Sequence, residues 1–126
     1  MNAEGLQIRS KQLSISIIRL FQELPKSEEA RLIGRQLLGS STAVAANYRA
    51  ACRARSQAEF LAKLSIVVEE VDETLFWLEL LTDAGVIMRE KVAPLYQTAQ
   101  ELLYIFSSSR KTVKNNLKAN TQSTEP

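Results

Sequence analysis

The tetrapeptide Ser56-Gln57-Ala58-Glu59 constrains this chain more than any other stretch. A serine followed three residues later by glutamate fits the capping box, in which hydroxyl and carboxylate each satisfy a backbone N–H at a helix start. Beyond it, Phe60, Leu64, Val67, Val71, Leu78 and Leu81 recur at spacings of three, four or seven, one apolar stripe of a helix. Before it, Gly39, Ala43, Ala46, Ala50 and Ala54 share a face small enough for another helix to approach closely. The segment from Gly39 to Leu81 therefore reads as two long antiparallel helices meeting at a tight corner near Arg55 and Ser56.

Two further helices flank this pair. Leu6, Leu13, Ile17, Leu20 and Leu24 keep helical spacing, and Pro25 pushes Leu24 out of the α region and ends the first helix. Ser27 is the expected N-cap of a second helix from about Glu28 to Ala54, with Ile33, Leu37, Ser41, Val44, Tyr48 and Ala51 as its main stripe. Its small-residue face lies beside that stripe, so the helix is either central in the bundle or in contact with another subunit. Gly34 and Gly39, inside it, each cost about 1 kcal/mol relative to alanine and imply a packing reason. The third helix, Gln57 to Asp83, stops at Gly85, a favourable left-handed residue. Val92, Leu95, Ala99, Leu102, Phe106, Val113 and Leu117 mark a fourth, with Pro94 near its start or at a mild kink. The expectation is an all-α, antiparallel up-down-up-down four-helix bundle over residues 6–118, with a frayed N-terminus at 1–5 and a disordered tail at 119–126.

Composition excludes several functions. With 126 residues, 24% charged and 45% apolar, the chain is a single globular domain. No apolar run reaches the roughly 20 residues a membrane helix needs, and the N-terminal residues lack the apolar core of a signal peptide, so a cytoplasmic location is expected. Histidine is absent, which removes the commonest general base and zinc ligand. Ser40, Ser41 and Thr42 then have no histidine to activate them as nucleophiles, and no Gly-rich phosphate loop is present. No metal, no cofactor and no enzymatic activity are expected. Cys52, the single cysteine, reads as a small packed side chain.

Polar residues on apolar faces need partners. Glu70 and Glu73 share a face with Ile66, Trp77 and Leu80, and Glu70 falls level with Ser41. A partly buried network of Ser41, Glu70 and Glu73 is expected, with Asn47 bonding across a helix pair. Trp77 and Tyr48 read as core.

Charge is unevenly placed although the net is only +2. Arg31 to Lys63 holds six basic residues against Glu59 alone, whereas Glu69 to Asp83 holds six acidic residues and no basic one. Arg49, Arg53, Arg55 and Lys63 cluster around the corner; Arg110, Lys111, Lys114 and Lys118 form a second group in the last helix. Both are candidate phosphate contacts for RNA or DNA.

The segments LLGSSTAVAANYRAA and RSQAEFLAKLSIVVEEVDETLFWLELL resemble the bacterial four-helix-bundle family named for intervening sequences in 23S ribosomal RNA genes. The likeness covers about Leu13 to Leu117 and is strongest from Leu37 to Leu81. Ser40, Ser41, Asn47, Tyr48, Ser56, Phe60, Leu64, Glu70, Glu73, Trp77 and Leu78 match there in type and order. A more distant similarity is to the accessory protein of diversity-generating retroelements. The resemblance implies a homopentameric ring, an RNA-associated role and, as an alternative, an adaptor for a protein partner such as a reverse transcriptase. Where family members often carry an acid soon after the Asn-Tyr pair, this chain has Arg49, Ala50 and Ala51, a more basic surface.

Overall fold

The computed structural model describes residues 2–123 and consists there of four helices: α1 (Ala3–Glu23), α2 (Glu28–Cys52), α3 (Gln57–Asp83) and α4 (Arg89–Ser123). Each packs against the next and α1 closes against α4, so the bundle is up-down-up-down, with α2 against α3 the most extensive interface and α1 against α4 the slightest. Leu13, Ile17, Leu37, Val44, Leu64, Val71, Leu102 and Phe106 fill its centre. Each such side chain stabilises the fold by about 1.5–3 kcal/mol relative to exposure.

The helix ends follow local chemistry. Ser27 and Ser56 are the N-caps of α2 and α3, accepting from the backbone N–H of Ala30 and Glu59. Leu24 leaves the helix in extended conformation ahead of Pro25. Gly85 has φ +70°, and the N–H groups of Val86 and Gly85 donate to the carbonyls of Leu81 and Thr82, the paired bonds of a Schellman motif.

Three boundaries differ from expectation. Residues 3–5 are helical rather than frayed, because Asn2 caps α1: its Oδ1 accepts the Gly5 N–H at 2.8 Å. The second helix ends at Cys52, two residues early, where Arg53 adopts a non-helical cap conformation and the turn into Ser56 begins. The last helix includes Pro94 in its second turn and continues beyond Lys118 to Ser123, since neither glycine nor proline interrupts that stretch. The rest of the expected tail, 124–126, lies outside the described residues.

The two interior glycines part ways. A Cβ on Gly34 would lie 2.7 Å from Phe21 Cδ2 and 2.8 Å from Leu24 Cδ1, so this glycine permits the close α1–α2 approach. A Cβ on Gly39 would meet nothing within 4 Å, and Ala46 beside it is exposed. Among the described residues no helix packs over the small-residue face at Gly39, whereas Ala43, Ala50 and Ala54 on that face are half-buried.

The buried polar network is made of hydroxyls. Ser10, Ser14, Ser40, Ser41 and Thr74 are all buried. Ser14 donates to the Ser41 carbonyl at 2.9 Å across α1–α2, and Thr74 Oγ1 stands 2.9 Å from Ser40 Oγ across α2–α3 and 2.8 Å from the Glu70 carbonyl. Ser41 takes part through its backbone carbonyl, while its hydroxyl donates to the Leu38 carbonyl rather than meeting Glu70, and the side chains of Glu70, Glu73 and Asn47 stand outside the network. Glu73 is exposed, Glu70 is half-buried without a side-chain hydrogen bond, and Asn47 Nδ2 turns back to its own helix, donating to the Ala43 carbonyl at 2.9 Å. A carboxylate only accepts, and a helix interior offers it no free N–H, so it moves toward water; a hydroxyl or amide can donate to the carbonyl one turn back.

Two outcomes test this packing. Gly34→Ala should destabilise the fold by about 1 kcal/mol in urea denaturation, although helix propensity alone would stabilise it by about as much. Desolvation, then repulsion from Glu73 and Glu69, holds the Glu70 carboxyl above its ordinary value. A raised carboxyl pKa means folding disfavours the charged form, so stability falls as pH rises through the folded-state pKa. Glu70→Gln should therefore gain stability at neutral pH, and the gain should vanish below about pH 4; a loss at neutral pH would reveal a partner for the carboxylate.

Candidate nucleic-acid interface

The corner between α2 and α3 is closed by the capping box in both directions. Ser56 Oγ accepts the Glu59 N–H at 3.0 Å, and Glu59 Oε2 accepts the Arg55 N–H at 3.3 Å. Glu59 thus faces its own backbone.

Around this corner lies an open basin of about 450 Å³. Arg49 and Arg53 come from the end of α2, Arg55 from the turn and Lys63 from the second turn of α3; Ala46 and Ala50 complete the lining. Glu59 is the one carboxylate on its wall. The ion pairs among the described residues are Arg9–Glu101 and Lys91–Glu23, so none of these four cations is in a direct ion pair. Arg49, Arg53 and Arg55 are exposed and Lys63 is half-buried. Like charges one helical turn apart repel, and such a basin favours an anion.

The second basic group reaches the same end of the bundle without lining the basin. Tyr48 and Phe106 stack with ring centroids 4.8 Å apart, which sets α4 level with the last turns of α2. From Phe106, a rise of 1.5 Å per residue carries Lys114 about 12 Å and Lys118 about 18 Å along α4, past the end of α2 at Cys52. Lys111, Lys114 and Lys118 are exposed. Arg110 is half-buried, and its Nε donates to Ser65 Oγ on α3 at 2.8 Å, so it braces α4 against α3 while keeping its charge. Ser65 was not among the residues the sequence singled out; a serine on a helix flank carries no signal for such a contact.

In the last turns of α2, Tyr48 is buried and Cys52 half-buried. Burial first, and the adjacent Cys52 second, push the Tyr48 phenol well above its ordinary value, so it stays neutral.

The acidic residues occupy another surface. Glu69, Asp72, Glu73 and Glu79 are exposed along α3, together with Phe76, 53% exposed, whose ring meets Trp77 edge-on at 4.8 Å. Trp77 packs against the core, as its spacing indicated. Among the described residues no three His, Cys, Asp or Glu side chains gather to hold a metal ion, and no helix is long and apolar enough to cross a membrane.

Comparison with known proteins agrees with this architecture. A crystal structure of a protein of unknown function from the S23 ribosomal protein family of Bacteroides thetaiotaomicron superposes with a TM-score of 0.81. It is 31% identical, and the match covers 88% of this chain and 99% of that one. No curated protein matches the chain. The profile of the 23S rRNA-intervening sequence protein family matches residues 6–108, most of the bundle. The chain belongs to that family.

Proposed function

We propose that this protein is a non-enzymatic, RNA-associated accessory protein of the cytoplasm that binds structured RNA or DNA by neutralising phosphates at the corner end of its bundle. One observation carries the reading: Arg49, Arg53, Arg55 and Lys63 converge on one basin whose lone carboxylate, Glu59, is occupied in capping α3. Arg110, Lys111, Lys114 and Lys118 extend the positive surface from α4. Ala46 and Ala50 bring no aromatic ring to the basin, so the contacts suit a sugar-phosphate backbone rather than stacked single-stranded bases. The hydroxyls of Ser40, Ser41 and Thr42 lie within 3.3 Å of carbonyls in their own helix, which supports a role other than nucleophilic catalysis.

The active form is a homo-oligomer, a pentamer by family resemblance. The support is the outer face of α2 at Gly39, where an added Cβ would meet nothing within 4 Å, while α3 offers exposed Ile66 and Phe76. A face without a side chain at Gly39 and exposed apolar side chains on α3 are complementary in shape, and head-to-tail contacts of that kind close into rings. Repetition around a ring would turn each basic corner into a band of charge. Exposed Phe76, its ring held edge-on by the half-buried Trp77, also favours a second reading, an adaptor whose protein partner docks on α3 without nucleic-acid contact.

Binding of a labelled structured RNA should follow a log–log salt slope of about −3 to −4, a loss of roughly two orders of magnitude between about 50 and 200 mM salt, if four phosphates are neutralised. The double charge reversal Arg49→Glu/Arg53→Glu should abolish that binding and leave the light-scattering mass unchanged; survival of binding would exclude the corner, and absence of binding by the unaltered protein would favour the adaptor. Gly39→Leu should lower the mass toward that of a single chain with helicity retained, and an unchanged mass would remove the α2 face from the assembly.

A further inference from the structure

At the other end of α2, about 33 Å from Arg53 by helical rise, the α1–α2 turn borders a cavity of about 320 Å³. Phe21, Leu24 and Pro25 form its apolar wall, Lys26, Arg31 and Arg35 supply its charge, and Gln22 adds an amide. Gly34 builds this place. With no Cβ on Gly34, the Cδ2–Cε2 edge of Phe21 seats against α2, which holds the ring where it lines the cavity. A ring already fixed by packing loses little freedom when a ligand stacks on it.

Arg31 and Arg35 are one helical turn apart and exposed, as is Lys26. None of the three forms an ion pair among the described residues. Glu23, the nearest acid before the turn, is bonded to Lys91, and neither Glu28 nor Glu29 lines the cavity. Three unneutralised cations around an apolar wall select a ligand that is both aromatic and anionic. Two arginines a turn apart match the oxygens of a phosphate, whose geometry suits the guanidinium fork. A fixed phenyl ring accepts a planar heterocycle in offset stacking. The volume is at the lower end of small-molecule sites, enough for one nucleotide and not for two.

We infer that this cavity binds a nucleoside monophosphate unit, its base against Phe21 and its phosphate between Arg31 and Arg35. The unit is either a free mononucleotide or the 5′-terminal nucleotide of a strand. The inference does not rest on the corner basin: different residues carry the two sites.

Isothermal titration calorimetry of the full chain with adenosine 5′-monophosphate tests it, with inorganic phosphate and adenosine as the two half-ligands. The expected result is saturable binding at one site per chain, with each half-ligand weaker by about tenfold or more. Arg31→Glu/Arg35→Glu should weaken the nucleotide by at least about tenfold with the circular dichroism spectrum unchanged, whereas Arg49→Glu/Arg53→Glu should change it by less than about twofold. The inference is overturned if no saturable heat appears, if phosphate binds as tightly as the nucleotide, or if reversal at 31 and 35 has no effect. Loss of binding on reversal at 49 and 53 would also overturn it. In the Arg49→Glu/Arg53→Glu background, a 5′-phosphorylated single-stranded oligoribonucleotide that binds more tightly than the mononucleotide assigns the strand end. Equal or weaker binding assigns the free nucleotide.

Discussion

The turn at residues 53–56 makes two demands on one side chain. Glu59 must accept a hydrogen bond from the Arg55 N–H to close the α2–α3 corner, and the same carboxylate is the one negative group in a basin of four cations. A carboxylate oriented by a backbone donor at a helix N-terminus is favourably placed and has little reason to turn outward. Helix capping therefore occupies Glu59 with the backbone, and the arginines form no direct ion pair. The corner also sets the register of α2 on α3: so short a turn brings Ser40 opposite Thr74, and the interhelical hydroxyl contact follows from it.

The polar groups that cross the core are chosen by whether they can satisfy themselves. Serine and threonine in a helix can return a proton to a carbonyl one turn back, so burying them leaves no orphan donor, and among the described residues no buried side-chain nitrogen or oxygen lacks a partner. Such hydroxyls let α1, α2 and α3 approach closely at Ser14, Ser41, Ser40 and Thr74 without a volume penalty. A carboxylate has no such recourse, which is why α3 turns its acids outward and becomes an acidic surface. Charge separation between the α3 face and the corner is thus partly a by-product of how the core excludes carboxylates.

Up-down topology then decides which charges meet. The ends of α2 and α4 and the start of α3 lie at one end of the bundle, so basic residues sixty positions apart in the chain come to that same end. Gly34 acts at the opposite end, where the close approach of α1 fixes Phe21 beside Arg31 and Arg35. The two basic regions belong to one helix yet differ in chemistry, one floored by alanine and the other walled by an aromatic ring.

Much of this was legible in the residues themselves, because helix periodicity, capping and proline or glycine stops act over a few positions. The Ser56–Glu59 box, the stop at Gly85 and the stripe from Leu64 to Leu81 depend on neighbours within one or two turns, and the clustering of Arg49, Arg53, Arg55 and Lys63 follows once that corner is placed. What only the tertiary structure decided involves a partner on another helix. Periodicity assigned Glu73 to a half-buried face, but the width of that face is set by how α2 and α4 flank α3, and Glu73 lies beyond it. Asn47 had an acceptor within its own helix and no need of another. Thr74 and Ser14, silent in the sequence, cross interfaces because of register, and Gly34 and Gly39, alike as residues, differ because α1 lies over one and, among the described residues, nothing comes within 4 Å of a Cβ on the other. Spacing along a helix states which side chains share a face; the approach of a second helix determines what that face meets.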